Sequence, residues 1–216
     1  MNKTIRIAID GPGGAGKSTI AMAVAKTLQI DYIDTGSMYR AVAFKILRDG
    51  IDLNDEAALQ RMLDQTDIDF SKGNIYLDGE IINDRIRTPE ISAMASACSA
   101  LPMVRKKLVA LQRKMGESKS IIMDGRDIGT NVLPNAEYKF FLTASPEERA
   151  RRRTLELQEK GQNVVYQDIL ADIEKRDFAD SNRTLNPLTQ AEDALLVNTT
   201  GIPLDECIQI ILSYIK

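Results

Sequence analysis

The residues with the clearest chemical use are Gly11-Pro-Gly-Gly-Ala-Gly16-Lys17-Ser18, which follow the apolar run Ile5–Ile9. Their spacing matches G-x-x-x-x-G-K-[ST], in which glycines let successive backbone N–H groups face phosphate oxygens. A helix starting at Lys17 directs the positive end of its dipole to the same place, and Lys17 reaches the outer phosphates. The motif predicts binding of a nucleoside triphosphate by Gly11, Pro12, Gly13, Gly14, Ala15, Gly16, Lys17, Ser18 and Thr19.

A magnesium site is expected at Ser18 and Asp124. Mg²⁺ prefers oxygen ligands and keeps several waters when it joins a protein to phosphates. Asp124 ends the apolar run Ile121–Met123, where nucleotide-binding loops place an acid that holds Mg²⁺ through water. A helix-capping aspartate is the alternative interpretation.

Arginines occur in three segments that also carry acids. Arg126 and Asp127 lie in a glycine-flanked loop, and Arg40 follows a short apolar run in Asp34-Thr-Gly-Ser-Met-Tyr-Arg40. The planar guanidinium of Arg40 suits a pair of phosphate oxygens. Exposed arginines and surface salt bridges are the alternatives for these two segments.

The third segment, 174–183, places Arg176, Asp180 and Arg183 on one face if a helix continues through it. Helical ion pairs explain that pattern equally well. Taken together, the arginines indicate that a second phosphate accepts the transferred group, because an anionic acceptor needs neutralisation. The chain has no histidine, and a phosphate acceptor needs no base because its second pKa is near 6.

Helices and strands that could position these residues are recognisable. Five short apolar runs predict a parallel sheet with intervening helices: Ile5–Ile9, Ile30–Ile33, Ile121–Met123, Tyr138–Leu142 and Ala194–Val197. The helix after the phosphate loop should bury Ile20, Ala21, Val24, Ala25 and Leu28. Ser145-Pro-Glu-Glu148 forms a capping box, and the helix after it is expected to expose Arg149, Arg151, Arg152 and Arg153. A last helix runs from Pro203 towards Tyr214.

A long excursion separates the second and third strands and is expected to hold the second substrate. Helices are predicted at Ser37–Arg48 and Asn54–Leu63, and again after Thr88-Pro89 and Leu101-Pro102. Between them, Ile68–Phe70, Ile75–Leu77 and Ile81-Ile82 read as short strands joined by turns at Lys72-Gly73-Asn74 and Asp78-Gly79. The second turn is a strong hairpin signal.

Composition narrows the class of protein. The 216 residues are 44% hydrophobic with a net charge of −3, which gives no general reason to bind nucleic acid or anionic membranes. The start of the chain leaves no room for a signal peptide and no run is long enough to span a membrane, so a cytoplasmic location is expected. Nothing in the sequence demands an oligomer, and a monomer is expected. Cys98 and Cys207 fit no metal pattern and are expected to be free buried thiols.

Four motifs occur in the order of one known family: Gly11–Ser18, Asp34–Arg40, Asp124–Gly129, and Lys175-Arg-Asp177 with Asn182-Arg183. With the hairpin-rich segment 67–87, they make the chain resemble bacterial cytidylate kinases over essentially its whole length. The resemblance implies transfer of the γ-phosphoryl group of Mg-ATP to CMP or dCMP. It also implies an α/β P-loop NTPase fold, with a doubly wound five-stranded parallel sheet covered by helices on both faces.

The same resemblance implies one kinase domain over 1–216. Its core would cover about 1–35 and 118–216, with a monophosphate-binding insert at about 36–117, a small antiparallel β-sheet at 67–87 and a mobile lid at about 149–165. The lid arginines, among them Arg153, would close over ATP.

The resemblance also assigns substrate contacts residue by residue. Arg40, Arg126 and Arg183 would surround the acceptor phosphate and act with Lys17 in catalysis. Ser96, Arg105 and Asp127 would read cytosine, and Arg176 and Asp180 would contact the sugar. Thr35 and Tyr39 belong to the same acceptor motif and are assigned to substrate binding.

Two residues depart from the family pattern. Thr35 replaces a frequent serine and keeps its hydroxyl, whereas Asn198 stands where aspartate is expected, near the adenine loop, which bears on the choice of donor. An adenylate or uridylate kinase is the main alternative, and Ser96, Arg105 and the small sheet argue against it. A nucleotide-operated switch lacks its guanine-reading element, and an inactive relative would not retain Lys17, Ser18, Asp124 and the arginines.

Overall fold

The order of strands follows from where the apolar runs fall. In a computed structural model that describes residues 4–71, 73–117 and 119–215, β1 (Arg6–Asp10) lies at the centre of a five-stranded sheet. The other strands are β2 (Asp31–Asp34), β6 (Ile121–Gly125), β7 (Tyr138–Thr143) and β8 (Leu195–Asn198), in the order β2-β6-β1-β7-β8. β1 pairs in parallel with β6 and β7, and β7 with β8. All five predicted strands are present.

The chain forms two compact units, one of residues 1–32 and 118–216 and one of residues 33–117. The helices of the first unit are α1 (Lys17–Leu28), α6 (Pro146–Glu159), α7 (Tyr166–Asn182) and α8 (Leu204–Tyr214). Ile20, Ala21, Val24 and Ala25 of α1 pack with α8 on one face of the sheet, as predicted, and Leu28 packs at the edge of that cluster.

Where the chain leaves the first unit and returns, its two segments are bonded to each other. The backbone N–H of Asp31 donates to the carbonyl of Ser120 at 3.4 Å, and the Asp31 carboxylate pairs with Lys119. The intervening residues therefore leave and re-enter the first unit at neighbouring positions.

The second unit contains helices α2 (Thr35–Asp49), α3 (Glu56–Asp64), α4 (Pro89–Cys98) and α5 (Pro102–Glu117). Its strands β3 (Ile68–Ser71), β4 (Asn74–Leu77) and β5 (Glu80–Ile81) form an antiparallel sheet. Asp78 and Gly79 join β4 to β5 with φ of 52° and 84°, the left-handed pair that a two-residue hairpin turn requires. Lys72, in the other predicted turn, lies outside the described residues.

α2 begins at Thr35, two residues before the predicted start near Ser37, because the carboxylate of Asp34 accepts the N–H of Ser37 at 2.9 Å and caps the helix. Arg126 and Asp127 lie in a short loop after β6, as predicted, and Ile128–Val132 then form a turn of π-helix. The helix considered for segment 174–183 does not continue to the end of that segment. α7 ends at Asn182, and Arg183 is extended beyond it (ψ 142°), so Arg183 does not share a helical face with Arg176 and Asp180.

Both cysteines are buried free thiols, as predicted. Within the described ranges, no helix combines the length and apolar character needed to cross a membrane.

Candidate active site

The phosphate loop has the backbone that its glycines predict. Gly11 has φ 143° and approaches β7 so closely that a Cβ on it would lie 1.9 Å from the carbonyl oxygen of Leu142. Gly14 and Gly16 have φ of 78° and 85°, and Gly16 is the residue before the first turn of α1. The loop therefore ends at the N-terminus of a 12-residue helix, a geometry that favours an anion.

Lys17 is buried inside this loop. Its Nζ donates to the carbonyl of Pro12 at 2.8 Å. Burial, which is the largest cause, and the neighbouring charges of Arg126 and Arg176 together lower the pKa of Lys17 to about 7, against the opposing effect of Asp124 and Asp10. Cationic groups thus crowd the loop, and a phosphate bound there would relieve their mutual repulsion.

Asp124 lies beside the start of α1. One carboxylate oxygen accepts from the Ser18 hydroxyl at 2.8 Å and the other from the Tyr32 hydroxyl at 2.7 Å. Among the described residues, no three Asp, Glu, Cys or His side chains converge as a metal site. The Ser18 hydroxyl and the Asp124 carboxylate place two oxygen atoms close together, and Mg²⁺ prefers oxygen ligands. These two residues therefore fit a magnesium ion that takes its remaining ligands from phosphate and water.

The arginines of the first unit pair with acids that are distant in sequence. Arg126 Nε donates to Asp180 at 2.8 Å, and Arg183 donates to Asp127 at 3.1 Å. Burial acts to raise the pKa of Asp180, but the positive charges of Arg126, Arg176 and Arg183 outweigh it and hold that pKa below its usual value. The carboxylate therefore stays ionised among the arginines.

Arg126 and Arg176 also face the phosphate loop. A Cβ on Gly13 would lie 3.5 Å from Arg126 Nη2 and 4.0 Å from Arg176 Nη1. The structure thus brings together Lys17, Arg126, Asp127, Arg176, Asp180 and Arg183, which sequence analysis had placed on three separate segments.

The four arginines of α6 have different environments, and one expectation about them was wrong. Arg149 is buried, because it donates to the carbonyls of Ala144 and Gly13 at 2.9 and 3.1 Å and forms a two-pronged pair with Asp177 at 2.5 and 3.0 Å. It therefore ties α6 to both the phosphate loop and α7.

Arg152, not Arg153, lies at the cavity next to the phosphate loop. Its guanidinium donates to the carbonyl oxygen of Thr199 at 2.6 Å. Arg153 pairs with Glu156 at 2.9 Å and leaves about half of its side chain exposed, so its role as an ATP ligand stays a prediction.

This cavity has a volume of about 440 Å³ and begins where the phosphate loop ends. Its walls include Ala15, Gly16, Thr19, Arg151, Arg152, Thr199, Ile202, Pro203, Leu204 and Cys207. A cavity of this volume, with an apolar wall and backbone polar groups, is typical of a site for a small organic molecule. Asn198 is not on its wall; the Asn198 side chain accepts the N–H of Thr200 at 3.0 Å.

Sequence analysis missed Asp10. It ends β1, immediately before the phosphate loop, and is only 4% exposed. Its two carboxylate oxygens accept the N–H groups of Ile128 and Gly129, each at 2.7 Å. The signal that could have found it is an acid at the end of an apolar strand, the same signal that identified Asp124.

In the second unit, the acceptor motif forms a compact cluster at the start of α2. Arg40 Nη2 donates to Asp34 at 2.8 Å and to the Ser37 hydroxyl at 2.6 Å. Burial acts to raise the pKa of Asp34, but Arg40, Ser37 and Arg87 outweigh it and lower that pKa. Thr35 is buried in the same turn.

The predicted base-reading residues of this unit lie on α4 and α5. Arg105 is buried, with its guanidinium carbon 5.9 Å from the centre of the Tyr39 ring. That contact joins two of the predicted substrate ligands. Ser96 is exposed on α4, and its carbonyl accepts from the Ser99 hydroxyl at 2.8 Å.

The model of the cytidylate kinase family matches residues 7–216. The chain belongs to the cytidylate kinase family.

Curated cytidylate kinases resemble it along their full length. The cytidylate kinase of Clostridioides difficile is 52% identical over 210 residues, which cover 97% of each chain. That of Clostridium perfringens is 52% identical over 216 residues and covers all of both chains. A solved shikimate kinase from Bacteroides thetaiotaomicron has a TM-score of 0.52 at 14% identity, covers 97% of each chain and supports the kinase fold alone.

Proposed function

We propose that this chain transfers the γ-phosphoryl group of Mg-ATP to the 5′-phosphate of CMP and dCMP, giving ADP and CDP or dCDP. The observation that carries the proposal is a cationic cluster at the phosphate loop of a chain in this family: Arg126 and Arg176 lie beside Lys17, and Arg183 shares the carboxylate of Asp180 with them. Transfer between two phosphates requires such a cluster because both reactants are anions.

The donor half of the reaction uses the phosphate loop. The loop N–H groups and Lys17 hold the β- and γ-phosphates, and Lys17 exchanges its bond to the Pro12 carbonyl for a phosphate oxygen. Ser18 and Asp124 would hold the magnesium ion, which would neutralise charge on the phosphate oxygens. The 440 Å³ cavity beside Arg152 accommodates the adenine ring.

The acceptor half uses arginines that carry their own counter-ions. Arg126 and Arg183 bind the CMP phosphate and give up part of their pairing with Asp180 and Asp127. The freed carboxylates then have a second use, with Asp127 accepting from the cytosine amino group and Asp180, beside Arg176, accepting from sugar hydroxyls.

The second unit supplies the other acceptor contacts. Arg40 is the phosphate ligand, with Thr35 and Tyr39 beside it in α2, while Ser96 and Arg105 contact the base. No general base is required, because the acceptor phosphate oxygen is already deprotonated near neutral pH. Positioning and charge neutralisation supply the catalysis.

These roles assign a function to each part of the chain. We assign the ATP-binding core to about 1–35 and 118–216, the monophosphate-binding insert to about 36–117 and the lid to about 149–165. The lid includes Arg153 and excludes water from the γ-phosphate when it closes. The enzyme acts as a cytoplasmic monomer with no nucleic-acid partner, in keeping with its net charge of −3.

The test is ADP formation from Mg-ATP with CMP, dCMP, UMP, AMP and GMP supplied separately, with each diphosphate product identified. CMP and dCMP should be strongly preferred. Lys17→Met is the matched control and should abolish product with every acceptor. Preference for another monophosphate, or ATP hydrolysis without an acceptor, would overturn the assignment of cytidylate as substrate.

A further inference from the structure

Asp10 is a buried acid whose two oxygens are both used. Oδ1 accepts the N–H of Ile128 and Oδ2 accepts the N–H of Gly129, each at 2.7 Å. These are the first two N–H groups of the π-helical turn Ile128–Val132. An ionised carboxylate can accept from both at once, whereas an amide or a protonated acid keeps only one free acceptor oxygen for them.

The two bonds connect the phosphate loop with the loop that carries Arg126 and Asp127. Asp10 directly precedes Gly11, and Ile128 directly follows Asp127. In the sheet, Asp10 lies opposite Gly125 of β6, so the bonds continue the β1–β6 pairing beyond the end of the strands. The direction in which Arg126 and Asp127 leave β6 is thus fixed from both sides, by the strand before them and by Asp10 after them.

Gly129 is part of the same arrangement. A Cβ on it would lie 3.3 Å from Asp10 Oδ2 and 3.2 Å from Lys139 Cδ. The backbone of Gly129 therefore approaches the carboxylate more closely than a residue with a side chain would without displacing a neighbour.

Stability alone is a poor explanation for this acid. Burial raises the pKa of Asp10 to about 6, against the lowering effect of the two N–H groups and of Lys17. Keeping the carboxylate ionised at neutral pH therefore opposes folding. A buried charge that opposes folding but organises two functional loops is expected where position matters more than stability.

We propose, on the basis of the proposed function, that Asp10 is a positioning residue that holds Arg126 and Asp127 in register with the phosphate loop through its two bonds to Ile128 and Gly129. Loss of the Asp10 bonds should therefore impair phosphoryl transfer, because Arg126 is displaced, and selection of the base, because Asp127 is displaced.

Asp10→Asn tests the proposal, because asparagine keeps the shape but turns an NH₂ group towards one of the two N–H donors. We expect kcat/KM for CMP to fall about 10- to 100-fold. The KM for CMP should rise more than the KM for ATP, and the preference for CMP over UMP should shrink at least about threefold, since Asp127 is displaced. Hydrogen exchange at Ile128 and Gly129 should quicken.

Glu137→Gln is the matched control. Like Asp10, Glu137 is a carboxylate that accepts a backbone N–H group. Its donor is Arg6 at 2.8 Å, at the end of β1 that lies away from the phosphate loop. It should leave the KM ratio and the CMP preference of the wild type unchanged. Unaltered ratios in Asp10→Asn, or the same change in Glu137→Gln, would overturn the proposal.

Gly129→Ala provides a second route if Asp10→Asn folds poorly. Its added methyl group presses on the same carboxylate, so it should reduce the CMP preference in the same direction. A wild-type enzyme that fails to use CMP would refute the proposed function. Faster exchange at residues 128 and 129 would still support the positioning role in that case, and unchanged exchange would refute it.

Discussion

The two units hold their candidate phosphate-binding arginines in different ways. In the first unit, Arg126 and Arg183 pair with acids 54 and 56 residues away, so the cluster exists only when the sheet and α7 have packed. In the second unit, Arg40 pairs with Asp34 six residues away, within the first turns of one helix. One cluster is a product of tertiary structure and the other of local structure, so they should respond differently to substitution.

The largest expected effect comes from Arg126→Met. It removes a charge next to the phosphate loop and takes from the partly buried Asp180 its hydrogen bond at 2.8 Å, while Arg176 and Arg183 still act on that carboxylate. We expect kcat to fall on the order of 10³-fold and the protein to lose about 2 kcal/mol of unfolding free energy. Steady-state kinetics and urea unfolding measure the two effects.

Arg6→Met is the control for that substitution, because Arg6 also pairs across the fold, with Glu137 at 2.9 Å, but at the other end of β1. It should reduce stability and spare kcat. If Arg126→Met kept full activity, the arginine cluster would not be the acceptor site.

Arg40→Met should affect function with little loss of stability. Its partners Asp34 and Ser37 remain bonded to each other through the helix cap. We expect the KM for CMP to rise about 10- to 100-fold while the dissociation constant for ATP stays within about twofold.

Arg48→Met, on the same helix, loses an exposed pair with Asp49 and a longer one with Asp78 at 3.9 Å, and should behave as the wild type. Unchanged acceptor kinetics in Arg40→Met would exclude it as a phosphate ligand. A large loss of stability would contradict the view that its cluster is local.

Arg152→Ala and Arg153→Ala extend the comparison to neighbours on one helix. Arg152 lines the cavity and Arg153 pairs with Glu156 on the helix surface. Competition binding should show ATP bound about 5- to 10-fold more weakly by Arg152→Ala and within about twofold of normal by Arg153→Ala. The reverse order would show that Arg153, as the family resemblance implies, and not Arg152, contacts ATP.

The smallest effect is a change in the pH dependence of stability. The pKa of Asp10 is raised from its ordinary value of 3.8 to about 6 in the folded protein, so its contribution to stability is lost as pH rises through that interval. Asp10→Asn lacks this titration. The unfolding free energy of Asp10→Asn minus that of the wild type should therefore increase between pH 4 and 6. If urea unfolding shows the same difference at both pH values, the pKa of Asp10 is not raised in the folded protein.

The sequence predicts most of the fold because its signals are local. Glycine spacing, the Asp78-Gly79 turn and the Ser145 cap each act within a few residues, and the structure has the loop, the hairpin and the helix start at those places. Apolar runs located the strands to within one or two residues. Arg149 was misjudged because its partner Asp177 is on another helix, which no helical periodicity reveals.

In the candidate site, too, local sequence signals predict some residues, whereas others depend on tertiary structure. Lys17, Ser18 and Asp124 are identified by motif and strand position. The bonds of Asp10 to residues 128 and 129, 118 and 119 positions away, depend on the parallel pairing of β1 with β6. Whether Arg152 or Arg153 faces the cavity depends on helix rotation, which four successive polar positions do not determine.

The bond between Asp31 and Ser120 has a consequence for how such a chain can change. Because the chain leaves and re-enters the first unit at adjacent positions, residues 33–117 have the connectivity of a domain inserted into a complete nucleotide-binding protein. A segment of different length or origin could be grafted between the end of β2 and the start of β6 without removing a strand of the five-stranded sheet. Descent by exchange of the insert, and recombination of inserts in the laboratory, would then both alter the acceptor while preserving the donor machinery.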